Sequence, residues 1–218
     1  MTDVKFCGMT RPEDLQRAAA LGAAFVGVVL TRSPRRVTPD AARELLGTLQ
    51  GSAVRRVGVF GAEPVGEVVA AARTAGVDVV QLHGTRPRQD FMVLRQELGL
   101  ETWRVVRVGA EGLSRRDREE FGDGDATLLD TLSNAALGGT GRTFDWGLVA
   151  GQIRPLRGAQ RLIVAGGLRP GNVRDVIEWL RPDVVDVSSG VETSPGVKDH
   201  RLMAEFMAAA SAARTGPG

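Results

Sequence analysis

Four apolar runs in the amino-acid sequence end in side chains that can do chemistry. Cys7 closes the first run, His83 a middle one and Asp130 a later one, and Ser188-Ser189-Gly190 follows the last. A thiolate can act as a general base, and a carboxyl group that keeps its proton can act as a general acid. Each residue type also has an ordinary structural use, because cysteine fills cores and aspartate caps loops.

Lys5 lies two residues before Cys7 in the first run. Side chains alternate between the two faces of a strand, so Lys5 and Cys7 share one face and Phe6 points to the other. An ammonium group beside a thiol lowers the pKa of the thiol and favours the thiolate. Asp186, in the last predicted strand, is an alternative partner for Lys5. We favour a Lys5–Asp186 ion pair as the structural role of this lysine.

Asp130 directly follows Leu128 and Leu129 at the end of a run that should be buried. Burial disfavours the charged carboxylate and raises the pKa of a carboxyl group. A raised pKa suits a general acid that must hold its proton near neutral pH. The alternative is that Asp130 caps the loop that follows it.

The elements that position these residues alternate strictly between short β-branched strands and longer helices. Eight such strand–helix units imply a parallel sheet, and in a chain of 218 residues they favour a closed (β/α)8 barrel over an open doubly wound sheet. The strands predicted after the first are Phe25–Leu30, Val57–Phe60, Val79–His83, Thr102–Val108, Thr127–Asp130, Leu162–Ala165 and Val184–Val187. We predict one barrel domain over residues 1–214 and a frayed tail over residues 215–218.

Two glycine-containing turns follow the last two predicted strands. Gly166 and Gly167 belong to one turn, and Ser189 and Gly190 belong to the other. Backbone N–H groups at glycines can approach an anion closely, and barrels often bind a substrate phosphate at this pair of loops. One such turn alone could be only a tight turn, but two in these positions favour a phosphate site.

Two further polar residues are candidate contacts for a substrate. Arg36 ends a basic loop after the second strand, where its planar guanidinium could hold a carboxylate, although a solvated loop charge is the usual role of arginine. His83 is a second candidate for substrate binding, with the alternative that it only satisfies a neighbouring polar group.

Composition excludes several classes of function. The net charge is only +2, and no basic run carries interleaved aromatic residues, which argues against nucleic-acid binding. A single cysteine excludes an internal disulfide and does not suggest a metal cluster. The longest apolar run, Phe25–Leu30, is too short to cross a bilayer. We therefore expect a cytoplasmic protein without membrane contact.

Taken together, motifs along nearly the whole chain resemble those of the phosphoribosylanthranilate isomerases of tryptophan biosynthesis. Each motif is modest alone, but their joint presence in family order is specific. The matching segments are Lys5–Thr10, Ser33–Val37, Val57–Phe60, Val80–Gly84, Leu128–Thr131, Gly138–Gly141, Phe144–Trp146, Ala165–Val173, Asp186–Glu192 and Pro195–Asp199.

The resemblance implies an Amadori rearrangement of N-(5′-phosphoribosyl)anthranilate to 1-(o-carboxyphenylamino)-1-deoxyribulose 5-phosphate. By this resemblance Asp130 is the general acid that opens the sugar ring, and Cys7 is the general base that removes a proton from C2. Arg36 would hold the anthranilate carboxylate, and the two glycine turns the phosphate. The family needs neither a metal nor an organic cofactor, and we expect a monomer or a homodimer.

Two alternatives remain open at this stage. A phosphosugar isomerase of histidine biosynthesis runs the same rearrangement, but its substrate carries a phosphate at each end, and Cys7 stands where a carboxylate would be expected. A barrel that only binds a phosphosugar is the other alternative. The presence of both Cys7 and Asp130 at strand ends argues against it.

Overall fold

The computed structural model describes residues 2–109, 111–131 and 146–213. Eight parallel strands form a closed barrel in sequence order, in which β1 pairs with β8 to complete the ring. The predicted (β/α)8 barrel is therefore confirmed, and the open doubly wound alternative is excluded.

The strands lie close to their predicted positions. The barrel strands are β1 (Asp3–Cys7), β2 (Phe25–Val29), β3 (Arg55–Phe60), β4 (Val79–Leu82), β5 (Glu101–Val108), β6 (Ala126–Thr131), β7 (Arg161–Ala165) and β8 (Val184–Val187). The helices are α1 (Pro12–Ala20), α2 (Pro39–Gly47), α3 (Val65–Ala75), α4 (Arg88–Leu98), α5 (Arg115–Glu120), α6 (Trp146–Arg157), α7 (Val173–Leu180) and α8 (His200–Ala212).

The alternation of side chains produces two apolar layers. Phe6 belongs to the larger layer between the strands and the surrounding helices, whereas Cys7 belongs to a smaller cluster inside the barrel. The aromatic rings of Phe25 and Trp103 pack edge to face in that inner cluster, with their centroids 5.0 Å apart. The predicted separation of Lys5 and Cys7 from Phe6 is thus confirmed.

Local signals fix several helix ends. Thr38 caps α2, because its side chain accepts a hydrogen bond from the backbone N–H of Ala41. Gly76 and Gly99 end α3 and α4 in the left-handed conformation that glycine adopts readily. Helix α7 begins at Val173, after a turn that Asn172 closes with two side-chain hydrogen bonds.

A small antiparallel hairpin, which the sequence analysis did not predict, follows β8. Its strands are β9 (Glu192–Ser194) and β10 (Val197–Lys198), after a 3₁₀ turn at Ser189–Val191. The hairpin places the buried side chain of Lys198 beside the end of β1. The loop after β8 is therefore anchored to the first strand of the barrel.

Some predictions fall outside the described residues. These are the glycine-rich segment Gly138–Gly141, the neighbouring residues Phe144 and Asp145, and the tail 215–218. The division into a domain of residues 1–214 and a tail stays a prediction. Within the described ranges, no helix combines the length and the apolar character that crossing a bilayer requires.

Candidate active site

A cleft of about 670 Å³ opens at the carboxyl ends of the barrel strands. Its volume lies within the range of small-molecule sites, and function in this fold gathers at this end of the barrel. The cleft brings together all but two of the residues predicted from the sequence. Those that line it are Cys7, His83, Asp130, Gly166, Gly167, Asp186, Ser189 and Gly190. Lys5 is buried in the barrel interior, and Arg36 is not among the lining residues.

The predicted ion pair between Lys5 and Asp186 is present inside the barrel. Lys5 Nζ lies 2.7 Å from Asp186 Oδ2, and neighbouring strands β1 and β8 place the two residues side by side. The Lys5 side chain is fully buried, which by itself lowers the pKa of the ammonium group, but its interactions with Asp186 and Cys7 outweigh burial and make that pKa higher than usual. The pair therefore puts a fixed cation and a fixed anion near the reactive groups.

Asp130 has the electrostatic character predicted for a general acid. Burial, together with the negative charge of Asp186, raises the pKa of its carboxyl group from 3.8 to about 6. The positive charges of Arg107 and Lys5 act in the opposite direction but do not cancel the rise. Asp130 thus holds its proton at a much higher pH than an ordinary aspartate does.

Lys5 lowers the pKa of the Cys7 thiol, as expected, but the net pKa of the thiol is raised. Burial is the largest influence and raises the pKa of the thiol above its ordinary value of 9.0. Lys5 and Lys198 pull the pKa down, but Asp186 offsets part of their effect. The sequence analysis named Asp186 as a partner for Lys5, but it did not include the loss of water around the thiol.

The two glycine turns contact one another at the rim of the cleft. A side chain at Gly190 would place its Cβ only 1.8 Å from the carbonyl oxygen of Leu168, so glycine is required where the turns meet. Gly166 and Gly167 have φ angles of 91° and 62°, which side chains disfavour. Backbone from both turns consequently lines the same part of the cleft.

The basic loop after β2 presents a different arginine to the cleft from the one predicted. Arg36 is exposed to solvent, whereas Arg32 and Arg35 line the cleft. Arg35 is half-buried, whereas Arg32 and Arg36 are both exposed. Arg35 is already engaged, because its guanidinium donates hydrogen bonds of 2.6 and 2.9 Å to the carboxylate of Glu192.

A buried cluster beneath this loop was missed by the sequence analysis. Lys198 Nζ donates to the carbonyl oxygens of Cys7 and Ser188, at 2.5 and 3.2 Å, and to Glu192 Oε1 at 2.7 Å. Glu192 therefore joins Arg35 to Lys198. The turn Pro195-Gly196 between two short runs was the available signal for the hairpin that brings these residues together.

Gln81 and Arg107 are two further polar residues of the cleft that the sequence analysis missed. Gln81 is only 2% exposed and touches both Lys5 and His83. Arg107 lies at the mouth, and its backbone is in register with Asp130. Strand alternation places both side chains on the inward face. A single glutamine or arginine within an apolar strand forms no motif, however, so nothing in the sequence marked them as site residues.

The ranges 2–109, 111–131 and 146–213 contain no group of three or more His, Cys, Asp or Glu side chains arranged to hold a metal ion.

Comparison with known proteins gives consistent matches over almost the whole chain. A profile of the N-(5′-phosphoribosyl)anthranilate (PRA) isomerases matches residues 4–209. The N-(5′-phosphoribosyl)anthranilate isomerase of Rubrobacter xylanophilus is 43% identical over 211 residues, which cover 96% of this chain and 99% of that protein.

Solved structures agree with the sequence matches. The phosphoribosyl anthranilate isomerase of Thermotoga maritima superposes with a TM-score of 0.81 at 37% identity, covering 97% of this chain and 100% of that one. Another phosphoribosyl anthranilate isomerase, at a TM-score of 0.80 and 34% identity with the same coverage, was crystallised with reduced 1-(o-carboxyphenylamino)-1-deoxyribulose 5-phosphate.

Proposed function

This chain belongs to the N-(5′-phosphoribosyl)anthranilate isomerase family, and we propose that Asp130 and Cys7 are the general acid and general base of its reaction. The protein is an isomerase of tryptophan biosynthesis that converts N-(5′-phosphoribosyl)anthranilate to 1-(o-carboxyphenylamino)-1-deoxyribulose 5-phosphate. One observation carries the assignment of roles. A carboxyl group with a raised pKa and a buried thiol line one cleft from separate strands.

The proposed chemistry moves protons without gain or loss of atoms. Asp130 gives its proton to the ring oxygen of the sugar as the bond between that oxygen and C1 breaks, which leaves a protonated Schiff base. Cys7 then takes the proton from C2, and the electrons of that bond form the enolamine. Tautomerisation of the enolamine gives the ketone. Acid and base lie on different strands, so their environments are tuned separately.

The two ends of the substrate are proposed to bind on opposite sides of these groups. Gly166, Gly167, Ser189 and Gly190 would hold the phosphate with backbone N–H groups, since their two turns meet at one rim of the cleft. The basic loop would hold the anthranilate carboxylate. Arg36 remains our proposed contact, and binding would have to draw its exposed side chain inward, where Arg32 already lines the cleft.

The experiment that tests the roles compares the turnover of N-(5′-phosphoribosyl)anthranilate by the wild-type protein and by Asp130→Asn. The substrate is generated in situ, and its loss is followed by anthranilate-type fluorescence. An amide cannot donate the catalytic proton, so we expect the rate to fall by about 10²–10⁴-fold. Asp40→Asn is the matched control, because the Asp40 side chain is 72% exposed on α2.

Three results would contradict the proposal. Near wild-type turnover by Asp130→Asn would remove Asp130 from the mechanism. Near wild-type turnover by Cys7→Ser would do the same for the base. A wild-type protein that binds the product but turns over no substrate would instead favour a barrel that only binds phosphosugars.

A further inference from the structure

A line of polar contacts crosses the inside of the barrel beneath the cleft and ends at His83. Asp186 accepts from Lys5 Nζ at 2.7 Å, and the same ammonium group donates to Gln81 Oε1 at 2.9 Å. The amide nitrogen of Gln81 lies 3.0 Å from Nε2 of His83. The line thus connects β8, β1 and β4 to a side chain that lines the cleft.

Lys5 fixes which way the Gln81 amide points. An ammonium group has only donors, so the atom of Gln81 that faces it must be the carbonyl oxygen. The proximity of Asp186 raises the pKa of Lys5, and the donors are therefore present throughout the physiological pH range. The NH₂ group of Gln81 is left to face His83.

The orientation of Gln81 in turn fixes the proton on His83. An amide NH₂ only donates, so Nε2 of His83 must accept with its lone pair. Burial, together with the positive charges of Lys5 and Arg107, lowers the pKa of the imidazole to about 4. The ring is neutral at pH 7, and its single proton must lie on Nδ1.

We propose that Gln81 is a positioning residue that holds His83 in the neutral form protonated on Nδ1. His83 then offers the substrate a hydrogen-bond donor and takes no part in acid–base exchange. This separates His83 from Cys7 and Asp130, which move protons. The identity of the ligand rests on the proposed function, but the placement of the proton does not.

The placement of the proton can be measured directly by ¹⁵N nuclear magnetic resonance. The chain contains only two histidines, and His200→Gln assigns the other one. Long-range ¹H–¹⁵N correlation at neutral pH should show Nδ1 of His83 protonated and Nε2 unprotonated. A protonated Nε2 in the wild-type protein would overturn the proposal.

Gln81→Glu is the decisive variant because it keeps the shape of the side chain and an acceptor for Lys5. Its second oxygen only accepts, so His83 must now carry a proton on Nε2, either as the other neutral form or as the imidazolium. Gln81→Met is the companion variant, and it should release the ring to a mixture of both neutral forms. An Nε2 that stays unprotonated in Gln81→Glu would show that Gln81 does not place the proton.

Activity supplies an independent readout of the donor. The side-chain NH₂ of asparagine can take the place of Nδ1–H, whereas that of glutamine reaches the position of Nε2. We expect His83→Asn to keep about tenfold more kcat/KM than His83→Gln, the effect of one hydrogen bond. The reverse order would overturn the donor role. A wild-type protein without turnover, but with the expected ¹⁵N pattern, would contradict the proposed function and leave the positioning role intact.

Discussion

Asp130 and Cys7 hold their protons in the opposite order from the one that the proposed mechanism needs. Between pH 6 and the pKa of the thiol, which lies above 9.0, most molecules carry a carboxylate and a neutral thiol. The reactive arrangement, a carboxylic acid with a thiolate, contains the same number of protons. Its population is therefore small but independent of pH across this whole interval.

The pH dependence of kcat/KM should reflect this shared proton. We expect kcat/KM to rise with pH up to about 6, where Asp130 titrates, and then to stay level until the thiol titrates. Below pH 6 both groups are protonated, and above the pKa of the thiol neither is, so both limbs fall. A continuous rise of kcat/KM between pH 6.5 and 8.5 would contradict this arrangement.

Asp186→Asn separates the enzyme from the substrate in that measurement, because the phosphate of the substrate also titrates near pH 6. The charge of Asp186 raises the pKa values of Asp130 and Cys7 together. Its removal should therefore move both limbs to lower pH. If the acidic limb of the kcat/KM profile does not move, that limb reports titration of the substrate phosphate.

For individual residues, the sequence predicted ion pairs more reliably than it predicted pKa values. Strand alternation was enough to propose the Lys5–Asp186 pair, and a strand-end position was enough to propose a raised pKa for Asp130. The net direction of the thiol pKa was not predictable, because it depends on the combined effects of Lys5, Asp186 and burial. Their sum requires positions in three dimensions.

Among the structural elements, the turns after β7 and β8 act as one unit. Gly190 packs against the backbone of Leu168 and Arg169, so the geometry of one turn sets that of the other. The side chain of Asn172 supports the first turn by donating to the carbonyl oxygen of Gly167 at 3.0 Å. Together they form a single wall of the cleft.

Gly190→Ala tests whether this wall positions the substrate. The added methyl group would lie 1.8 Å from the carbonyl oxygen of Leu168, so the two turns must separate. We expect kcat/KM to fall by about 100-fold, the usual effect of displacing a bound group by about 1 Å. Steady-state kinetics gives the answer.

Gly171→Ala is the matched control, since its nearest neighbour beyond the adjacent residues is an arginine side-chain atom 3.9 Å away. It should keep kcat/KM within about twofold of the wild-type value. Equal losses in the two variants would show that contact between the turns is unimportant.

The hairpin β9–β10 is the part of the strand structure that the sequence did not predict. Its strands are two and three residues long, too short for a periodic pattern, and only the turn Pro195-Gly196 marked it. The eight longer strands were found because each carries several apolar residues in a short run. Length therefore decided which elements could be predicted.

For the whole molecule, the contact that closes the barrel is between its first and last strands. Strands β1 and β8 pair directly, and Lys198 adds hydrogen bonds from the hairpin to the carbonyl oxygen of Cys7. Lys198 is only 3% exposed, so its charge depends on Glu192 for compensation. The Lys198 ammonium group thereby stabilises barrel closure and also holds the backbone of Cys7 in place.

Lys198→Met should lower the free energy of unfolding by about 3 kcal/mol, because it breaks a buried pair and leaves Glu192 with Arg35 alone. Equilibrium unfolding in urea measures the change. Arg201→Met is the control, since it removes an exposed pair with Glu205 that is expected to contribute less than about 1 kcal/mol. Equal losses in both variants would show that Lys198 does not stabilise barrel closure.

The overall architecture was predictable because strict alternation of eight strands and helices leaves few topologies. The placement of Arg36 was not, since a loop has no periodicity to orient a side chain. Only the structure showed that Arg35, one residue earlier, occupies the side facing the cleft.

The pairing of Lys5 with Asp186 also governs the order of events during synthesis. The two residues are 181 positions apart, so Lys5 leaves the ribosome long before its counter-ion exists. Burying an ammonium group without a partner costs several kcal/mol. In a growing chain in which β8 has not yet been synthesised, Lys5 and the strand β1 therefore stay in contact with water. The nascent protein must therefore delay burial of its first strand until the last one arrives, and the catalytic cleft is completed in the same step.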